Sequence, residues 1–351
     1  KRVLGVGDCS GMFPIDSKAL DYNAEMLQKF QTLTSVDLRT ILPQVLPAGA
    51  DAGVLTDEGA KLLDPSGDLQ PGIPFCPPEG DAGTGMVATN SVRVKTGNVS
   101  AGTSDFAMIV VDRPLGVHRE IDMVTTPYGA PVAMVHCNNC TSDINAWAGL
   151  FGEFAAAIGA EVDTNALYTL LFRKALEGDA DCGGLLSYNY LSGEGVTDLD
   201  SGRPVFARTP DAKLTLANFM RTHLLSALAT LKIGLDILTG EEHVAIEKLY
   251  GHGGFFKTPE VGQRLLSAAV GASVSVMETA GEGGPYGMAL LAAYRLNSHG
   301  KNLADFLDTE VFAGTKSVTI QADAADCAGF DAFLARYQKA LPLEKTATEV
   351  L

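Results

Sequence analysis

Aromatic and basic residues are scarce in this chain of 351 residues. It has one tryptophan and 7% aromatic residues, and 26 lysines and arginines stand against 42 aspartates and glutamates, which gives a net charge of -16. A chain this acidic repels the phosphates of nucleic acid and an anionic membrane surface at long range. We therefore expect neither nucleic acid nor membrane as a partner, although a local nest of backbone amides could still bind a small anion.

Long apolar runs and cysteines are also few. The longest apolar runs, such as residues 106–111, are far shorter than the ~20 residues of a membrane-spanning helix. No charged-then-apolar leader opens the sequence. Six cysteines in the whole chain are too sparse for a disulfide framework. These features favour a cytoplasmic location.

The residues that are abundant indicate a globular α/β chain. The composition is 46% apolar with 38 glycines and 16 prolines, which is typical of many short loops between regular elements. The length predicts about two domains. Residues 1–90 are rich in turns and short helices, and strands and then helices follow. Because strand, glycine turn and helix alternate near the end of the chain, we expect an α/β fold.

The spacing of apolar residues places the main elements. Helical periodicity predicts helices at residues 20–30, 57–63, 147–158, 220–238, 261–270 and 288–296. Alternating or continuous apolar runs predict strands at residues 91–94, 105–111, 121–125, 132–135, 249–254 and 274–277. The strands at 121–125 and 132–135 flank a short turn and are predicted to form a hairpin.

Three glycine-rich turns stand out, at residues 102–104, 251–254 and 281–284. Glycine lets backbone amides approach a ligand, and consecutive amides at a helix start form a nest for phosphate. None of the three is a Walker loop or a dinucleotide fingerprint. Singly each is an ordinary turn, but together, with two of them at strand ends, they favour a nucleotide divided between several loops.

Asp81 follows a proline-rich stretch that excludes regular helix, so it is predicted on a loop or at a helix start. An aspartate there is most often a helix N-cap. It could also be a general base that accepts a hydroxyl proton during phosphoryl transfer. The residue type alone favours the cap.

Cys137 and Cys140 have the spacing of half a zinc site. A zinc site needs four ligands, and no second pair with ligand spacing occurs in the sequence. We therefore interpret the two as buried thiols near a strand end.

Taken in order, these motifs resemble the FGGY family of carbohydrate kinases. The resemblance rests on Gly80-Asp81, on Gly102-Thr103-Ser104, on the segment 251–257 and on the closing segment 269–292. It implies an actin-like, ribonuclease H-like ATPase fold with two domains. Residues 1–90 would be the remainder of the first, sugar-binding domain, and residues 91–351 the second, nucleotide-binding domain. The strand and Asp-x-Gly turn that normally open the first domain have no place in this sequence.

The resemblance also implies roles for individual residues. Asp81 matches the family's catalytic base, and Asp81 with Ala82 would contact the substrate, a sugar or polyol. The residues that would bind ATP are Gly102, Thr103, Ser104, Gly253, Gly254, Lys257, Gly281 and Glu282. Magnesium would enter with ATP, and no protein residue is assigned to it. By analogy with the family, the protein could form a homodimer. Asp81 and the glycine turns should then face one cavity.

Two other functions stay open from the sequence. One is an actin-like ATPase whose ATP cycle drives assembly or partner binding. The other is a non-catalytic sugar-binding or regulatory remnant. Stimulation of ADP release by a sugar would distinguish the kinase from the actin-like ATPase. Binding of ATP would distinguish the kinase from the non-catalytic remnant.

Overall fold

A computed structural model describes residues 1–279 and 283–351. The strands of these residues are β1 (Val3–Gly5), β2 (Ile15–Asp16), β3 (Asp21–Tyr22), β4 (Gln44–Leu46), β5 (Thr96–Ala101), β6 (Asp105–Val110), β7 (Asp122–Thr125), β8 (Pro131–Cys137), β9 (Leu185–Tyr188), β10 (Val205–Arg208), β11 (Lys248–His252), β12 (Val274–Met277) and β13 (Ser317–Ile320). The α-helices are α1 (Val6–Met12), α2 (Ala24–Gln31), α3 (Leu38–Ile41), α4 (Asp57–Leu63), α5 (Asp81–Ala88), α6 (Ser142–Ala157), α7 (Thr164–Ala175), α8 (Leu216–Asp236), α9 (Val261–Val270), α10 (Gly283–Asn297), α11 (Leu303–Phe306) and α12 (Ala324–Val350).

A seven-stranded mixed sheet organises most of the chain, in the order β13-β12-β11-β5-β6-β8-β7. Strands β5, β11 and β12 are parallel neighbours, and the strands on either side of them pair antiparallel. The predicted α/β class is confirmed. The predicted hairpin is also confirmed, as β7 and β8, and β11, α9 and β12 form the predicted parallel unit.

Each face of this sheet is covered by a separate apolar core. Successive side chains of a strand point to opposite faces, and β6 follows this rule closely. Ala107 and Ile109 belong to the core that contains residues of α6 to α9 and α12. Met108 and Val110 belong to the core that contains residues of α5, α10 and α11. The sheet therefore separates the molecule into two sides.

Helix α8 is the main element of the first core. Together with the π-helical residues that follow it, up to Glu241, it is long and apolar enough to cross a membrane, but 67% of its most apolar window is buried inside the protein. It is therefore the core helix of this layer. The predicted helix at 220–238 corresponds to it.

The first segment of the chain has a small core of its own, made of Val6, Cys9, Tyr22 and Val45. Strands β1 and β4 pair in parallel above it. Two hydrogen bonds join α1 to the edge of the large sheet. The Thr125 amide donates to Ser10 Oγ at 2.9 Å, and Thr125 Oγ1 donates to the Val6 carbonyl at 3.1 Å. Residue pairs more than 100 positions apart thus fix α1 against β7.

Several predicted elements differ from the structure. The helix predicted at 147–158 already begins at Ser142. The strand predicted at 91–94 is wrong, because Asn90 and Lys95 have positive φ and the strand begins only at Thr96. The helix predicted at 20–30 begins at Ala24, since Asn23 caps it by accepting from the Met26 amide. The helix predicted at 288–296 already begins at Gly283.

Candidate functional site

A cavity of about 550 Å³ lies where β5 and β11 end. Because the two strands are parallel neighbours, the turns that follow them meet at the same edge of the sheet. Four of the residues predicted to bind ATP line this strand-end cavity: Gly102, Thr103, Gly254 and Lys257. The other residues of its wall are Thr141, Ile144, Asn145, Thr164, Asn165, Tyr168, Thr169, Phe172 and Thr258.

The other residues predicted to bind ATP lie around this cavity or outside the described part of the chain. Ser104 closes the turn, because its carbonyl accepts from the Gly102 amide at 2.9 Å. Gly253 has a φ of 97°, and a Cβ there would lie 2.5 Å from the Ala101 carbonyl oxygen. Only glycine fits that position, which brings the β11 turn against the end of β5. Gly281 and Glu282 lie outside the described residues.

Helix α6 holds the first of these turns. Thr141 donates to the Gly102 carbonyl twice, from its amide at 3.0 Å and from Oγ1 at 2.7 Å. The Cys140 amide donates to the Thr103 carbonyl at 2.9 Å. The N-terminus of α6 and the Lys257 side chain both contribute positive charge to the strand-end cavity. The cavity therefore has the properties of a phosphate site.

Sequence reasoning did not assign Thr141 or Asn145 to this site. Both lie at the start of α6, shortly after β8 ends at Cys137. A helix that starts just after a strand end is a recognisable signal for an anion site. That signal was present, but it could not show which strand ends are neighbours.

A second, smaller cavity of about 130 Å³ contains Asp81 and Ala82. It lies between α1, α5 and the sheet, and we call it the α1–α5 cavity. Its other lining residues are Gly7, Asp8, Gly11, Gly80, Gly83, Met108, Val124, Thr125 and Met134. Both residues predicted to bind the substrate thus line one cavity. Asp8 was missed, because no local motif marks it.

Asp81 is the first residue of α5, and its side chain is exposed. The prediction that Asp81 lies on a loop or at a helix start is confirmed. The N-cap position belongs to Gly80, so the favoured interpretation of Asp81 as the cap is wrong. A carboxylate at this position still interacts favourably with the positive end of the helix.

Glu79 connects α1 to the start of α5. Its two carboxylate oxygens accept from the Gly7 amide at 3.1 Å and from the Asp8 amide at 2.9 Å. Burial raises the pKa of Glu79 to about 7; the two amide bonds oppose this shift, and the charge of Asp8 adds to it. A Cβ at Gly5 would lie 2.2 Å from Glu79 Oε1. The small residues of this segment therefore make room for the glutamate.

The two cavities have no lining residue in common. The α1–α5 cavity includes Met108, whose side chain belongs to the α5 and α10 side of the sheet, whereas Phe172 and Ile144 of the strand-end cavity belong to the other side. A single cavity for Asp81 and all the glycine turns therefore stays a prediction. The turns after β5 and β11 line the strand-end cavity, whereas Gly284 of the third glycine turn lies beside Asp81, since a Cβ there would be 3.8 Å from Asp81 Cβ.

A contact between α5 and β11 links the two regions. Gly85 lies one helical turn after Asp81, and a Cβ there would lie 3.5 Å from the His252 ring. His252 ends β11 directly before Gly253, and its Nε2 lies 3.0 Å from Nδ2 of Asn98. Burial lowers the pKa of His252 to about 4, so the ring is neutral and accepts this hydrogen bond. Helix α5 thus rests on the strand that carries the glycine turn.

The two cysteines of the Cys-x-x-Cys pair are buried and free. Burial raises the pKa of both thiols well above the usual value. Within residues 1–279 and 283–351, no group of three or more histidine, cysteine, aspartate or glutamate side chains could hold a metal ion. The interpretation as buried thiols is confirmed.

Known protein families and structures resemble this chain. The profile of the FGGY family of carbohydrate kinases, C-terminal domain, matches residues 97–296. The structure of a ligand-bound xylulose kinase from Lactobacillus acidophilus is similar, with a TM-score of 0.74 and 15% identity over 97% of this chain and 64% of that one. A xylulose kinase from Rhodospirillum rubrum gives a TM-score of 0.72 and 18% identity over 97% and 66% of the two chains. No curated protein matches the sequence.

A glycerol kinase from Plasmodium falciparum, solved with ADP, has a TM-score of 0.65 and 14% identity over 94% of this chain and 61% of that one. The chain thus spans less than two thirds of the length of these structures. The likenesses confirm the predicted fold class, an α/β fold of the actin-like, ribonuclease H-like ATPase type.

Proposed function

Because the chain belongs to the FGGY family of carbohydrate kinases, we propose that it transfers the γ-phosphoryl group of ATP to a hydroxyl of a sugar or polyol. The observation that carries this proposal is the strand-end cavity. Two glycine turns about 150 positions apart meet there with Lys257 and a helix N-terminus. Phosphoryl transfer depends mainly on positioning and charge stabilisation, which backbone amides and one lysine supply.

In this proposal the strand-end cavity binds ATP. The turn at Gly102, Thr103 and Ser104 contacts the β- and γ-phosphates, and Gly253 and Gly254 lie along the α-phosphate and adenosine. Lys257 neutralises phosphate charge, and Gly281 and Glu282 support the adenosine side. The cavity volume of about 550 Å³ suits a bound nucleotide.

The α1–α5 cavity is the proposed place of the acceptor. Asp81, exposed and not engaged as the cap of its helix, accepts the proton of the attacking hydroxyl as the new oxygen–phosphorus bond forms. Ala82 contacts the same substrate. Asp8 lies across the cavity, where its carboxylate approaches the backbone of Gly80, and it accepts a hydrogen bond from a second hydroxyl.

Magnesium accompanies ATP in this proposal and neutralises the charge of its phosphates when bound. We propose that the protein closes around both substrates and so excludes water. The division into residues 1–90 and 91–351 is part of this proposal.

The test is acceptor-dependent ADP formation. The chain is incubated with ATP, magnesium and each member of a panel of ketoses, aldoses and polyols, and ADP is measured. We expect at least one acceptor to raise ADP release above the rate in its absence. ATP binding is measured separately by titration calorimetry. ATP hydrolysis that no acceptor stimulates would contradict the kinase, and failure to bind ATP would contradict the assignment of the strand-end cavity.

A further inference from the structure

A buried polar group lies directly behind the start of α6. Asp143 is the second residue of this helix, and its Oδ2 lies 3.3 Å from Nδ1 of His223 on α8. The single tryptophan of the chain, Trp147, donates from Nε1 to the same oxygen at 3.2 Å. The side chains of His223 and Asp143 are only 1% and 9% exposed. A carboxylate this deeply buried is stable only when other groups hold it.

The histidine is fixed from several sides. Its ring centre lies 4.5 Å from that of Phe219 and 5.2 Å from that of Trp147. Its Nδ1 also lies 3.3 Å from Ser187 Oγ. Its Nε2 is buried and has no hydrogen-bond partner among the described residues. Nδ1 is therefore the ring atom that contacts both Ser187 Oγ and the Asp143 carboxylate.

This group lies one step behind the strand-end cavity. The neighbours of Asp143 in the first turn of α6, Ile144 and Asn145, line the cavity. Thr141, just before the helix, holds the Gly102 carbonyl with two hydrogen bonds. His223 thus contacts Asp143 in the first turn of α6, and Thr141, two positions before Asp143, holds the first glycine turn.

We propose that Asp143 and His223 are positioning residues of the nucleotide site. They hold the start of α6, and through Thr141 they hold the turn at Gly102 to Ser104 in the position that ATP requires. This inference rests on the proposed function for its role in ATP binding. The mechanical part, that the histidine fixes the turn, concerns the protein without nucleotide and is testable separately.

The test compares three variants. His223→Asn keeps an N–H donor near the position of Nδ1, and His223→Leu removes the donor while keeping an apolar side chain. Leu224→Ala is the matched control, because Leu224 is the next residue of α8 and is fully buried, and its truncation should lower stability without removing the contact between His223 and Asp143. All three are first checked for folding by circular dichroism.

The first readout is amide hydrogen exchange without ATP, in peptides that cover residues 102–104 and 140–145. We expect His223→Leu to accelerate exchange in both, and His223→Asn and Leu224→Ala to leave both near wild type. If His223→Leu exchanges in these peptides like Leu224→Ala, the proposal is overturned. Because this readout needs no nucleotide, it decides the positioning role even if the chain fails to bind ATP.

The second readout is ATP affinity, followed by calorimetry and by the emission of Trp147, which is unambiguous because the chain has no other tryptophan. We expect His223→Leu to raise the ATP dissociation constant about tenfold, since a misplaced turn loses several phosphate contacts. His223→Asn should restore most of the affinity, and Leu224→Ala should keep it. Equal loss in His223→Leu and Leu224→Ala would show a merely structural role and would overturn the proposal.

Discussion

The strand-end cavity and the α1–α5 cavity are built in different ways. The first consists of turns and helix starts that follow neighbouring strands of one sheet. The second is closed by α1, α5 and the edge of the sheet, so its walls come from segments more than 100 positions apart. A site at strand ends follows from the order of strands, whereas a site between packed segments depends on tertiary contacts.

The difference also concerns charge. The strand-end cavity presents backbone amides, the N-terminus of α6 and Lys257, which attract phosphate. The α1–α5 cavity presents the carboxylates of Asp8 and Asp81, which accept hydroxyl protons. The two sides are thus complementary in chemistry, one suited to the anion and the other to the acceptor. A substitution in one cavity should therefore weaken the binding of the substrate in that cavity and leave the binding of the other substrate unchanged.

The largest expected effect is that of Asp81→Asn on turnover. Loss of a general base typically lowers the rate about 10²- to 10⁴-fold, while the strand-end cavity does not contain Asp81. We expect acceptor-dependent ADP release to fall in that range and the ATP dissociation constant, measured by calorimetry, to stay near wild type. Unchanged turnover would remove Asp81 from the mechanism, and a parallel loss of ATP binding would contradict the separation of the two cavities.

Two neighbouring glycines provide a matched pair on the nucleotide side. A Cβ at Gly253 would collide with the Ala101 carbonyl, whereas a Cβ at Gly254 meets no atom within 4 Å. We expect Gly253→Ala to lower the free energy of unfolding by about 1–3 kcal/mol. Gly254→Ala should leave stability unchanged and weaken ATP binding, because its methyl group enters the cavity. Thermal unfolding and calorimetry measure the two effects, and equal stability of the two variants would argue against the turn geometry.

Asp8→Asn and Lys257→Met test the comparison from both sides. Each removes one charge from one cavity, and loss of a charged hydrogen bond weakens binding by about 1.5–3 kcal/mol, or ~10- to 100-fold. We expect Asp8→Asn to raise the KM of the acceptor alone and Lys257→Met to raise that of ATP alone. Initial rates with both substrates varied separate the two constants. If either variant raises both constants equally, the cavities are coupled in the ground state.

The smallest expected effect is the pH dependence caused by Glu79. Its pKa of about 7 lies above the usual 4.5 because of burial, so the folded state binds this proton more tightly than the unfolded state does. The contribution of Glu79 to stability is then fully present below pH 4.5 and is lost as the pH rises toward 7. We expect the unfolding free energy of wild type to fall across this window relative to Glu79→Gln. Urea unfolding at several pH values measures the difference, and parallel profiles would contradict it.

Local patterns predicted much of the fold. The helices at 57–63 and 261–270 and the strand at 274–277 have the predicted bounds, because apolar spacing and flanking turn residues mark them. The strand expected at 91–94 failed because positive φ at Asn90 and Lys95 is not visible in the apolar pattern. Both residues are polar, and their backbone conformation depends on tertiary packing.

Some residues of the candidate site were predicted and others were missed, again because part of the site depends on tertiary packing. Gly102, Thr103, Gly254 and Lys257 lie in turns with a recognisable composition, and they share one cavity. Asp8 lies in a segment with no such signal, and long-range hydrogen bonds, among them those of Glu79, bring its backbone beside α5. The position of Asp81 relative to the turns after β5 and β11 depends on the packing of α5 against α10. Gly287 allows this packing, because a Cβ there would lie 1.9 Å from the Thr84 carbonyl oxygen.

The sheet that lies between the two cavities has a consequence for engineering. Effects of substitutions at distant sites that share no partner usually add. A mutant library confined to α1 could therefore be selected for new acceptors without changing the affinity for the nucleotide. The best members could then be combined with improved nucleotide-side variants without a second round of optimisation.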